Sequence, residues 1–176
     1  RVDVCPKGCI WKDAAHLDKC EVCHADRYVK KRLSGKLIAK KQMIYFPIAP
    51  SLQRLYATKH VAEQMRWHSE NPRSGGSLTH PCDVDAWKHL DDCYPSFAAE
   101  PGNVRLGLCT DGFSPFGQFG QTYSCWPVIL TPYNLPPWLC MKKPYMFLST
   151  LIPGPKAPKG NFDIYMQPFI EELKQL

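Results

Sequence analysis

The chain has 176 residues, 44% of them hydrophobic and 22% charged, and a net charge of +6. That composition is ordinary for a soluble protein, and the length suits one domain or a small and a medium unit, with about two-thirds of the unfolded surface buried. No apolar run reaches the roughly 18–20 residues of a membrane helix, and Pro127, Pro132, Pro136 and Pro137 break the longest apolar region, so no membrane partner is expected.

Residues 1–28 carry Cys5 and Cys9, then Cys20 and Cys23, in the spacing C-x3-C-x10-C-x2-C. Two short cysteine pairs, each on a tight turn, can place four thiolates tetrahedrally around Zn2+ at about 2.3 Å. Gly8 lets the backbone fold back toward the metal. So small a segment has little core, and the metal would be its main source of stability. Such a site is closed, so it is structural rather than catalytic. His24 or His16 is the alternative fourth ligand. The chain has nine cysteines, and the other five are scattered through apolar surroundings. A disulfide scaffold would be cysteine-dense throughout, so the pattern points to a reduced compartment with one metal site and several buried thiols.

A basic block follows. Residues 27–41 hold Arg27, Lys30, Lys31, Arg32, Lys36, Lys40 and Lys41 and no acid, which leaves −1 on the rest of the chain. A basic block on a near-neutral body points to a polyanion contact or an import signal; the alternative is a solvated linker. Residues 43–48 read as a short extended segment ending at proline. A helix is expected near Ser51, an N-cap candidate after Pro50, and it is only moderately amphipathic because Lys59, Glu63 and Arg66 interrupt its apolar stripe. Residues 66–68, an Arg, a Trp and a His, end it either by packing the Trp or by offering a ring for stacking.

Residues 71–78 (NPRSGGSL) form a turn-rich loop and a candidate boundary. A second helix is expected around Asp83. His80, Cys82, His89 and Cys93 are close enough in sequence to suggest another metal site, but buried thiols and surface histidines account for them more cheaply.

From residue 104 the character changes to strands. Residues 104–113 (VRLGLCTDGF) read as a strand that runs into a glycine turn and leaves Asp111 at its end. Strand signals follow at 121–130 and 145–152, with Pro127 arguing for an edge or bulged strand. Cys109, Cys125 and Cys140 read as buried thiols. A helical pattern at 163–176 rests on Ile164, Phe169, Ile170 and Leu173. Three strands and a helix, with an acid on the first strand, are how a ribonuclease-H-like nuclease domain begins. A two-metal nuclease needs several converging carboxylates, and Asp111 supplies one.

Several runs together resemble the plant CACTA-type (En/Spm-like) transposases: residues 103–108 (NVRLGL), 111–117 (DGFSPFG), 123–128 (YSCWPV), 133–141 (YNLPPWLCM), 151–155 (LIPGP) and 167–176 (QPFIEELKQL). Residues 65–69 (MRWHS) and the N-terminal cysteine pairs fit as well. The resemblance covers almost the whole chain. It implies a nuclear DDE-type transposase with a ribonuclease-H-like fold, acting on transposon-end DNA with Mg2+ or Mn2+ alongside further transposase subunits. Asp111 matches the family's first acid, and Cys5, Cys9, Cys20 and Cys23 its zinc-ribbon-like element. Ser114 departs from the pattern, which has Asn there, and the later acids of the triad have no counterpart.

The expected fold is therefore α+β. It comprises a zinc-ribbon-like element (1–28), a basic linker (29–50), a helical region (51–100) and the β-β-β-α start of a ribonuclease-H-like domain (101–176). Two functions compete. One is the early part of a DDE transposase, inactive by itself with a single acid. The other is a truncated or co-opted zinc-dependent DNA-binding module without catalysis.

Overall fold

The computed structural model describes residues 1–9, 17–71, 76–117, 120 and 122–176. It is a mixed α+β structure. A five-stranded sheet has the order β1-β4-β7-β6-β5, and a separate two-stranded sheet pairs β2 with β3. The strands are β1 (Val2–Asp3), β2 (Tyr28–Lys30), β3 (Leu37–Ala39), β4 (Gln42–Tyr45), β5 (Leu106–Thr110), β6 (Trp126–Pro132) and β7 (Phe147–Ile152). The helices are α1 (Ala49–Ala57), α2 (Lys59–Gln64), α3 (Trp67–Glu70), α4 (Asp85–Cys93), α5 (Pro95–Ala98) and α6 (Phe162–Leu173). No helix among the described residues is long and apolar enough to cross a membrane. The chain divides into two compact units, Arg1–Ile48 with Thr110–Val128 and Leu148–Leu176, and Ala49–Cys109 with Ile129–Phe147.

In the first unit β4 pairs antiparallel with β1 (Val2 opposite Met43) and with β7 (Ile44 opposite Leu151). Val4, Met43, Ile152 and Tyr165 form its core, with Val2, Trp126 and Phe162 packed against them. Helix α6 buries Tyr165, Met166, Pro168 and Phe169. The buried face is thus offset from the expected one: Ile170 and Leu173 lie largely exposed. Pro168 stands inside the helix, where it removes one backbone donor. Near the end of α6, the Glu172 carboxylate accepts from the Tyr45 hydroxyl and, at 2.9 Å, from the Ile48 backbone N–H. Burial first, and the carboxylate second, push the Tyr45 phenol up. Glu172 therefore serves to hold the chain after β4.

The basic stretch is not featureless. β2 and β3 form an antiparallel hairpin with Tyr28 opposite Ala39 and Lys30 opposite Leu37, turning through Gly35 at φ +63°.

The second unit is built around Leu55, Met65 and Leu135, flanked by Leu52, Val61, Val104, Leu139, Tyr145 and Phe147. The helix expected near Ser51 starts earlier, at Ala49, with Pro50 in the first turn, where no backbone bond is lost. It then breaks at Thr58, a β-branched residue in extended conformation (φ −107°, ψ 118°), so one expected helix becomes α1 and α2. The helix expected around Asp83 begins as a 3-10 turn, Pro81–Asp83, before α4.

β6 lies between β7 and β5, so of the two readings of Pro127, an edge or a bulged strand, the edge position does not hold. Pro127 and Pro132 sit near its two ends, where missing donors cost least. Gly107 is required by close approach: a Cβ there would meet the Tyr133 ring at 2.1 Å.

Candidate functional site

Two turns build the cysteine centre. In the first, the Gly8 N–H donates to the Cys5 carbonyl at 2.8 Å, with Gly8 at φ +73°. In the second, the His24 N–H donates to the Cys20 carbonyl at 2.8 Å, with His24 at φ +55°. His24 thus closes a turn by its backbone, and the metal-competent group consists of Cys5, Cys9, Cys20 and Cys23 without it. His16, the other candidate ligand, lies outside the described residues. The four sulfurs lie within 4.8 Å of one another, and Cys5 and Cys23 are 3.5 Å apart. A tetrahedral zinc site with bonds of about 2.3 Å sets neighbouring sulfurs about 3.8 Å apart. A disulfide would need about 2.05 Å, and all nine cysteines are free thiols. The donor set therefore fits a structural zinc ion. Burial, followed by the neighbouring Cys23 and Cys5 thiols, pushes Cys9 up to about 12. A divalent cation reverses that balance by favouring thiolates.

The first turn is clamped from outside. The Asn161 side-chain amide donates to the Lys7 carbonyl at 2.9 Å. A Cβ on Gly8 would meet Asn161 at 3.0 Å and the Tyr165 hydroxyl at 3.2 Å.

Of the basic block, Lys30, Lys31, Arg32 and Lys36 are exposed on the β2–β3 hairpin and its turn. Lys40 is exposed and 3.5 Å from Asp26, a pair open enough to water to matter little. Lys41 places its ammonium 5.1 Å from the Tyr165 ring centroid. Arg27 departs from the expectation. It is 1% exposed, and its guanidinium donates to the Asp3 carbonyl at 3.2 Å. It is a packing residue and offers no surface to a polyanion.

Asp111 directly follows β5 and is exposed, and its Oδ1 accepts the Gly112 N–H at 2.7 Å. Among the described residues, no group of three metal-competent side chains includes it. By itself it does not make a divalent-cation site. Beside it, Thr110, Trp126, Ala157, Pro158, Lys159 and Phe162 line an apolar hollow of about 270 Å³.

The second unit holds a buried polar cluster that was not predicted. Asn134, fully buried, accepts the Arg105 backbone N–H at 2.7 Å and donates to the Asn103 carbonyl at 2.9 Å. The Arg105 guanidinium pairs with Asp91 at 2.5 Å and stands 4.1 Å from the Trp87 ring centroid. His80 accepts the Cys82 N–H at Nδ1 (3.1 Å), so its Nε2 carries the proton and donates to the Leu135 carbonyl at 2.9 Å. His80 is therefore buried and neutral, whereas a surface histidine was expected. His80–Cys82 and His89–Cys93 are separate pairs, 3.0 and 3.5 Å apart. Trp67 packs edge-on against His80 and Trp138, with centroids 5.0 and 5.8 Å away, which is the packing alternative for residues 66–68. Of the expected buried thiols, Cys125 is buried and Cys140 half-buried, while Cys109 is exposed on β5, the last strand of the sheet.

Fold and site together define an α+β protein with a closed four-cysteine centre. Residues 75–176, more than half of the chain, match the transposase family tnp2. The chain belongs to that family. No curated protein and no solved structure matches it.

Proposed function

We propose that the chain is the early part of a DDE-type transposase of the CACTA (En/Spm-like) kind, acting on transposon-end DNA in a plant nucleus. In this reading residues 1–28 form its zinc element and residues 101–176 the start of a ribonuclease-H-like catalytic domain. The tnp2 match over residues 75–176 carries it. Support comes from β5, β6 and β7, which lie side by side and are followed by α6, with Asp111 at the end of the first of them. Cys5, Cys9, Cys20 and Cys23 would hold a zinc ion that folds the N-terminal element and takes no part in the reaction. Asp111 would lend one carboxylate to a Mg2+- or Mn2+-dependent centre for phosphodiester cleavage and strand transfer, whose remaining ligands come from other acids.

The solitary, solvent-facing position of Asp111 favours a second reading: a zinc-dependent DNA-binding module without catalysis. One experiment separates them. In the full-length transposase with Mg2+ or Mn2+, Asp111→Asn is expected to abolish strand cleavage while DNA binding survives. Cleavage at the wild-type rate in that variant would remove Asp111 from the chemistry.

A further inference from the structure

The first unit contains a cleft of about 390 Å³ whose lining, among the described residues, includes five lysines and no acid. They come from three places: Lys7 from the first cysteine turn, Lys40 and Lys41 from the stretch between β3 and β4, and Lys156 and Lys159 from the loop between β7 and α6. Lys7, Lys156 and Lys159 lie outside the basic block, so the charge run along the sequence gives no hint of this grouping.

The walls are tied together. Asn161 holds the Lys7 carbonyl. The Ser124 N–H donates to the Pro155 carbonyl at 2.9 Å. Gly154 lies so close to that strand connection that a Cβ would meet the Ser124 carbonyl oxygen at 2.8 Å. Lys159 has φ +49°, a conformation that usually falls to glycine, and Gly160 is its neighbour in sequence. A lysine kept in a strained position, beside a glycine that would occupy it freely, is the kind of outlier that marks use.

We propose that this cleft seats the sugar–phosphate backbone of duplex DNA, by contacts that position the protein without reading sequence. This rests on the transposase reading for the identity of the polyanion. The lining explains the lack of base readout. Its one side-chain amide, Asn161, is spent on Lys7, and its one aromatic ring, Tyr165, is buried beneath Lys41. What remains is ammonium groups, which contact phosphates. Lys40 also faces Asp26, and is the weakest contributor of the five.

The test is binding of the whole zinc-loaded chain to a short duplex of unrelated sequence across a salt series. Each phosphate contact contributes about 0.9 to the slope of log K against log[salt]. Lys156→Gln with Lys159→Gln is expected to flatten that slope by nearly 2. The exposed pair Lys142 and Lys143, changed likewise to Gln, should leave it unaltered, and Lys156→Arg with Lys159→Arg should retain it. If the cleft pair and the control pair flatten the slope equally, or neither does, the cleft proposal is overturned while DNA binding stands. If the wild-type chain shows no salt-dependent binding, the DNA reading falls and takes the cleft with it. All four lysines are exposed, so the substitutions leave the core intact.

Discussion

The cysteine centre and the Arg105–Asn134 cluster are both assemblies of polar side chains, but they are satisfied in opposite ways. Around Asn134 the amide, the backbone groups of Arg105 and Asn103 and the His80 ring each find a protein partner, while the Arg105 Nε and Nη1 lie buried without a hydrogen bond and rest against the Trp87 ring instead. Around Cys5, Cys9, Cys20 and Cys23 the sulfurs converge within 4.8 Å of one another, with the Lys7 N–H donating to the Cys5 sulfur at 3.4 Å. A cluster that closes on itself stabilises a fold. A cluster of four thiols whose spacing matches a tetrahedral centre suits a bound cation.

Removing the cation should give the largest effect. Structural zinc contributes roughly 10–16 kcal/mol of apparent binding energy in small zinc elements. The wild-type chain is expected to carry one zinc per chain by native mass spectrometry. Cys20→Ser, at a fully buried position, should lose it, and amide exchange over residues 1–9 and 17–28 should then become fast. Retention of zinc in that variant, or unchanged protection, would mean that the centre is not what folds this element.

The closed cluster should give a smaller effect. Asn134→Ala leaves a buried N–H of Arg105 and a half-buried carbonyl of Asn103 without partners, at about 1–3 kcal/mol each. A loss of about 2–4 kcal/mol is expected in urea denaturation followed by tryptophan fluorescence, with zinc content unchanged. A loss below about 0.5 kcal/mol would show that water replaces the amide.

These two regions also differ in how far they could be read from sequence. Cysteine ligands are local: two turns of four or five residues carry the whole geometry, so spacing alone reveals them. Apolar, β-branched runs made β6 and β7 legible for the same reason, although their boundaries moved by several residues. Asn134 meets Arg105 across 29 residues, and nothing in the Tyr133–Pro137 corner says which backbone its side chain will cross. Arg27 shows the matching error. Charge counting grouped it with the lysines of the hairpin, but its position directly before β2 turned it onto the Asp3 carbonyl. The lysine cleft was invisible because its charges gather from three distant segments. The break at Thr58 falls on a β-branched residue of low helix propensity in extended conformation.

The smallest effect expected is a pH dependence confined to the closed cluster. His68 is buried, and burial first, then the Arg105 cation, hold its imidazole below the usual histidine range; hydrogen bonding with Asn134 and Met65 backbone opposes this. Because the folded value is depressed, the unfolded chain binds more protons below about pH 6.5. Stability of the second unit is therefore complete above that pH and declines as the pH falls toward the folded value, by at most about 1.4 kcal/mol per pH unit. Asp83 acts in a separate window. Its carboxylate is held below the usual range, first by the Thr79 backbone N–H, so its contribution is lost only below about pH 4. Urea midpoints for the second unit should fall between pH 7.5 and pH 5.5 in the wild-type chain and stay level in His68→Gln. An equal fall in both would assign the dependence to another group, and a rise on acidification would mean that His68 is held charged, reversing the environment described for it.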